Sequence, residues 1–148
     1  MFHVEPKGKM GVQLNTTNGG HVRDGYDKMP RKVWVGQHEF KVVVVPRADA
    51  ALAPDNPETE GQADGACEFE PTVISIADDM NQSRLLETVM HELTHAVNHA
   101  ASIEDGASEE SIADLHGKIW TQVWIVNPRF AAWWTRTCIA VRKERASA

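Results

Sequence analysis

The sequence predicts an α+β fold, a three- to four-stranded sheet packed against one long helix and two further C-terminal helices. Two observations carry this reading. Short β-branched runs fill the first half of the chain, and long amphipathic patterns with capping residues fill the second. At 148 residues the chain is expected to form a single domain over 1–148, large enough to bury one core without disulfides.

Residues 1–30 are rich in Gly, Asn, Asp and Lys, with turn chemistry at Asn18-Gly19-Gly20 and Asp24-Gly25; they are expected to be loop, with at most a short strand near Val12 to Leu14. Residues 32–36 and 38–45 read as two strands joined by a tight turn at Gly36-Gln37, the second ended by Pro46. Residues 47–66 show no periodicity and are expected to form a long surface loop. Residues 71–77 form a third strand, short and β-branched.

Asp78-Asp79-Met80-Asn81 then supplies capping residues for a helix over Gln82 to Ala101. At about 100° per residue, Leu86, Val89, Met90, Leu93, Val97 and Ala100 share one arc, while Thr88, His91, Glu92, His95 and His99 share another. The apolar arc is expected on the sheet and the histidine arc on a cleft. After a turn at Asp105-Gly106, Ser108 caps a helix over Glu109 to Val126, with acids in its first turn and a buried stripe of Ile112, Leu115, Ile119 and Val123. Asn127-Pro128 breaks it, and a last helix runs from Pro128 to about Arg145 with Phe130, Trp133, Trp134, Ile139 and Val141.

Composition narrows the function classes. A net charge of −6 argues against nucleic acid or an anionic membrane as partner, and the short tail Arg142-Lys143-Glu144-Arg145 reads as a solvated helix end. No run is long enough to span a membrane, and the segment from Met1 to Pro6 lacks the basic and apolar regions of a secretory signal. Two cysteines make no disulfide framework. The expected compartment is the cytoplasm, the host's if the gene is carried by a phage. Most of the five tryptophans are expected in the core, with one of Trp133 and Trp134 exposed or at an interface.

The residues that carry chemistry are His91-Glu92-Leu93-Thr94-His95, an H-E-x-x-H pattern inside the first long helix. Two imidazoles one turn apart can hold one divalent ion, expected to be Zn2+, and the glutamate between them can handle the proton of an activated water. From this composition the pattern is expected by chance about 0.03 times. A third ligand is needed. Glu110 is the first choice, because a second helix joined by a short loop can swing its first turn back over the histidines; Glu109 is the substitute. Asp114, one turn on, can accept the free N–H of His91, and Gly117 would let the helices approach closely. The plainer reading makes Glu109, Glu110 and Asp114 surface acids that complement the helix dipole. His99 continues the four-residue spacing, but lies about 12 Å along the axis from His91, too far for one ion on a straight helix. Cys67 reads as a small apolar residue, and His3, His21, His38 and His116 have no partner pattern.

The run from Glu87 to Val97 resembles the active helix of small zincin-type metallopeptidases of phages and prophages, relatives of the minimal gluzincins and, more loosely, of the ImmA/IrrE and SprT-like groups. Glu109-Glu110-Ser111-Ile112, Leu115, Gly117, Val123 and Asn127-Pro128 resemble a second block of those proteins, and Gly65-Ala66-Cys67 before the strand Thr72 to Ile76 is similar in kind. The likeness covers about residues 32–135. It implies a small zincin-like fold, zinc held by His91, His95 and Glu110, Glu92 as general base, and hydrolysis of a peptide or protein substrate. His99 departs from the pattern, and Tyr26, His38, His99 and His116 are the candidates for a group that stabilises the transition state. The strand Thr72 to Ile76 is expected to pair with the substrate's backbone. Two rival readings stand beside this one: a non-catalytic zinc-binding regulatory or interaction protein of a phage, and a structural domain in which the motif is accidental.

Overall fold

The computed structural model describes residues 25–53, 61–102 and 108–148. The expected strand near Val12 to Leu14, the turn at Asp105-Gly106 and the side chain of Glu109 lie outside the described residues. The fold is α+β. Four strands, β1 (Lys32–Val35), β2 (His38–Val45), β3 (Gly65–Phe69) and β4 (Thr72–Ala77), form a mixed sheet in the order β1-β2-β4-β3. The central pair β2–β4 is parallel and both outer pairs are antiparallel. Three helices follow: α1 (Gln82–Ala101), α2 (Glu109–Val126) and α3 (Pro128–Ser147).

Period-two alternation sends Val33, Val35, Phe40, Val42, Ile74 and Ile76 to one face of the sheet. The apolar arc of α1 packs there, burying Leu85, Leu86, Val89, Leu93, Ala96 and Val97. Asn81 caps α1 by accepting from the Arg84 N–H at 2.9 Å, and Ser102 ends it in the left-handed region at φ 49°. Ser108 caps α2 through the Ser111 N–H at 3.2 Å.

The sheet corrects two sequence expectations. The segment 47–66 is not one continuous loop: a 3-10 turn at Ala50–Leu52 buries Leu52, and β3 begins at Gly65. The strand Gly-Ala-Cys-Glu-Phe has no β-branched residue, so pairing with β4 across a tight connection, rather than propensity, makes it a strand. Consequently β4 is flanked by β2 and β3 and has no free edge for a substrate.

In α2, only Val123 of the expected stripe is fully buried, and a methyl at Gly117 would meet nothing within 4 Å, so that glycine mediates no close helix approach. The helix is held instead by His116 against Asn98 (2.7 Å), by Gln122 against the Gly36 carbonyl, and by Asn127 at its end. In α3, Phe130 and Trp133 are buried, Trp134 is half-buried and Ile139 is exposed.

Candidate functional site

α1 leaves the end of β4 and returns beneath the sheet, so it runs alongside β3 in the same sense. The side chains of β3 that face α1 are every second one. Gly65 lies over Thr88 and Glu92, and Phe69 stacks on His99 with ring centroids 4.2 Å apart. This is why the polar arc of α1 is split: Thr88 and Glu92 are buried beneath β3, whereas His91 and His95 stand exposed beside it.

The close approach is specific to Gly65. A Cβ there would lie 2.8 Å from both Glu92 Cγ and Thr88 Cγ2, and 2.9 Å from Glu92 Oε1. Only a residue without a side chain leaves room for the carboxylate. Glu92 is 5% exposed, and among the described residues it has no hydrogen-bonding side chain or backbone partner. Burial pushes its carboxyl upward from the ordinary value, and the neighbouring His91 pulls it part of the way back. A carboxylate with raised proton affinity, opening on a cleft, suits a proton acceptor. That cleft, of about 300 Å³, is bordered by Asp64, Gly65, Arg84, Glu87, His91 and Glu92 among others.

The two imidazoles converge. Their rings are T-shaped at 76° with centroids 4.9 Å apart, and the two Nε2 atoms are 3.2 Å apart. Two ring nitrogens each about 2.0–2.1 Å from a tetrahedral ion sit about 3.3–3.4 Å apart, so the pair has the bite a zinc ion requires. The same separation also serves a hydrogen bond between two neutral imidazoles of suitable tautomers.

The other candidates are placed elsewhere. Among the described residues no group of three or more His, Cys, Asp or Glu side chains converges. Glu110 is exposed, and Asp114 is exposed and paired with Lys118 at 2.6 Å rather than with His91. The anchors of α2 on Asn98, Gly36 and β1 draw that helix towards the sheet edge opposite β3. Tyr26 is buried and exchanges hydrogen bonds with both the N–H and the carbonyl of Met80, so its hydroxyl is engaged in fixing the β4–α1 turn. His116 bonds Asn98, and His38 and His99 gather around Phe69 and Phe40 at the far end of α1. Cys67 is half-buried; burial first, then Glu92 and Glu68, push its thiol up to about 12, so it stays protonated near neutral pH.

Sequence reasoning missed Gly65 and Asn127. The Gly65 signal was present as the Gly-Ala-Cys run before a strand, but its contact with Glu92 needs the tertiary register. The chain matches no protein-family model, and no curated protein or solved structure matches it. No helix among the described residues is long and apolar enough to cross a membrane.

Proposed function

We propose that this protein is a zinc-dependent metallopeptidase of small zincin-like fold. The observation that carries the reading is the pair of Nε2 atoms at 3.2 Å beside a recessed carboxylate, under a sheet edge. His91 and His95 would hold the ion; Glu110 is the third ligand the sequence proposes, although no third such group converges on the pair among the described residues, and Asp114 is engaged by Lys118 instead. When bound, zinc supplies Lewis acidity that polarises a carbonyl and acidifies a water. Glu92 takes the proton of the attacking water and returns it to the leaving amine. Gly65 leaves space for that carboxylate. The Asp64 carbonyl accepts from the Ala77 N–H, so the ladder turns Asp64 and Ala66 towards β4 and the backbone groups of Gly65, Cys67 and Phe69 outwards. An extended peptide can pair with that edge, which replaces β4 in this role.

Glu92→Gln tests the reading. Zinc bound per chain, measured by elemental analysis, is expected to stay the same, while cleavage of a peptide library falls by about 10²–10⁴-fold. Equal zinc with equal cleavage removes Glu92 from the chemistry, and equal zinc with no wild-type cleavage selects the non-catalytic zinc-binding reading. Glu110→Gln, read in the same zinc assay, decides the third ligand: a tenfold or greater loss of affinity assigns it, and unchanged affinity excludes it.

A further inference from the structure

The opposite edge of the sheet carries a second concave surface. Where β1 meets the junction of α2 and α3, a groove of about 760 Å³ opens. Among the described residues, five basic side chains line it, Lys28, Arg31, Lys32, Arg129 and Arg136, and no acidic one does. These are five of the 15 basic residues of a chain with net charge −6. Lys32 is paired with Glu39 at 2.9 Å, but Arg31, Arg129 and Arg136 have no ion pair among the described residues. Between the charges the floor is apolar: Pro30, Trp34, Val126 and Pro128, with Trp34 44% exposed and Val126 45%.

A chain with an excess of acids that gathers three arginines, without an ion pair among the described residues, around an exposed tryptophan holds both an electrostatic cost and an apolar surface in water. Both are relieved by one kind of occupant. We propose that this groove binds an acidic peptide segment of a partner protein, its carboxylates on the arginines and an apolar side chain against Trp34 and Val126. Single-stranded nucleic acid fits less well. Beside cations, its binding needs a row of stacking aromatics, whereas the exposed floor here has one, between prolines and a valine.

The backbone of β1 is not what this site offers. The Asn127 side-chain amide donates to the Trp34 carbonyl at 2.7 Å and accepts from the Trp34 N–H at 2.8 Å, closing the edge. Recognition therefore falls to side chains. β1 and β3 are three strand spacings apart, about 14 Å, so the groove is independent of the His91–His95 cleft.

The test is fluorescence anisotropy on the full chain with a labelled decapeptide alternating glutamate with leucine and phenylalanine. Controls are its lysine-substituted twin, an all-aspartate peptide and a ten-nucleotide oligo-dT. The acidic amphipathic peptide is expected to bind, with affinity falling severalfold between 50 and 300 mM salt, roughly as screening dictates. Arg31→Glu with Arg136→Glu is expected to weaken it tenfold or more, and Trp34→Ala about fivefold; all three positions are exposed, and circular dichroism checks folding. The Glu92→Gln protein is expected to bind as the wild type does, which separates this proposal from the metallopeptidase reading. Binding that ignores the arginine reversals overturns the proposal, as does tighter binding of oligo-dT. So does sedimentation showing that the groove is filled by a second copy of the chain, dispersed by the same reversals.

Discussion

The two edges of the sheet solve opposite problems. At β3 no described strand covers the outer backbone edge, Asp64 at its start is paired with Arg47 and Arg84, and the buried Glu92 carboxylate, without a hydrogen-bond partner among the described residues, sits beneath a glycine. At β1 the backbone edge is closed by Asn127, and Arg31, Arg129 and Arg136 beside it have no ion pair among the described residues. An open edge recognises any extended backbone, whereas a closed edge ringed by charge recognises composition. On the two proposals made above, the difference puts general peptide binding on one side of the molecule and selective docking on the other.

Asn127→Ala is the change that most directly erases this contrast. The side chain is 8% exposed and makes three hydrogen bonds, two to Trp34 and one to the Val123 carbonyl at 2.8 Å. Removing it leaves three backbone groups without their partner, at roughly 1 kcal/mol each for those that stay buried. The expected loss is about 2–4 kcal/mol in chemical denaturation. Concentration-dependent self-association should follow through the newly opened edge, read by sedimentation. A stability change within about 0.5 kcal/mol would mean that β1 needs no closure.

Gly65→Ala tests the other edge. The added methyl has no room against Glu92 and Thr88, so either the strand or the carboxylate must shift. Overpacking of this kind costs about 1–3 kcal/mol, a Tm drop of several degrees for a chain of this size. Cleavage should fall while zinc binding by the exposed imidazoles and peptide binding at the groove persist. Unchanged Tm and unchanged cleavage would show that β3 lifts away freely, and that Glu92 is not held by the edge strand.

The contrast also marks what the chain reveals by itself. The helices were legible because capping and periodicity are local: Asn81, Ser108 and Pro128 bound helices where the pattern put them. His91, Glu92 and His95 were legible because their spacing is a helix property. β3 was not, since its residues lack strand propensity and it is held by pairing with β4. The placement of Glu110 and Asp114 was not, because the path of α2 depends on where His116, Gln122 and Asn127 find partners, contacts that span up to 93 positions. Asn127 looked like a helix breaker, and its amide turned out to close a strand edge.

The smallest expected effect separates paired from unpaired charge. Arg47 donates to Asp79 at 2.7 Å and pairs with Asp64 at 2.9 Å, while Arg84 also binds Asp64, tying the start of β3 to the β4–α1 turn and to α1. Burial works to raise the Asp64 carboxyl, but the guanidinium hydrogen bonds of Arg47 and Arg84 outweigh it and hold it below its ordinary value. The Arg47 hydrogen bond likewise holds Asp79 down, against a smaller opposing effect of burial. A depressed folded carboxyl contributes stability above its unfolded value, about 3.9, and loses it as pH falls through the depressed one. Arg47→Met should therefore lower Tm by a few degrees at most near pH 7, because such exposed pairs are screened by solvent. The gap to wild type should then narrow below about pH 4 as both carboxyls become protonated. Replacing Arg31 and Arg136 by Met removes no ion pair among the described residues and adds no carboxyl, so its Tm effect should show no such acid limb. An acid-dependent gap for this double replacement, or a flat one for Arg47→Met, would mean that the charges at the two edges are not divided as described.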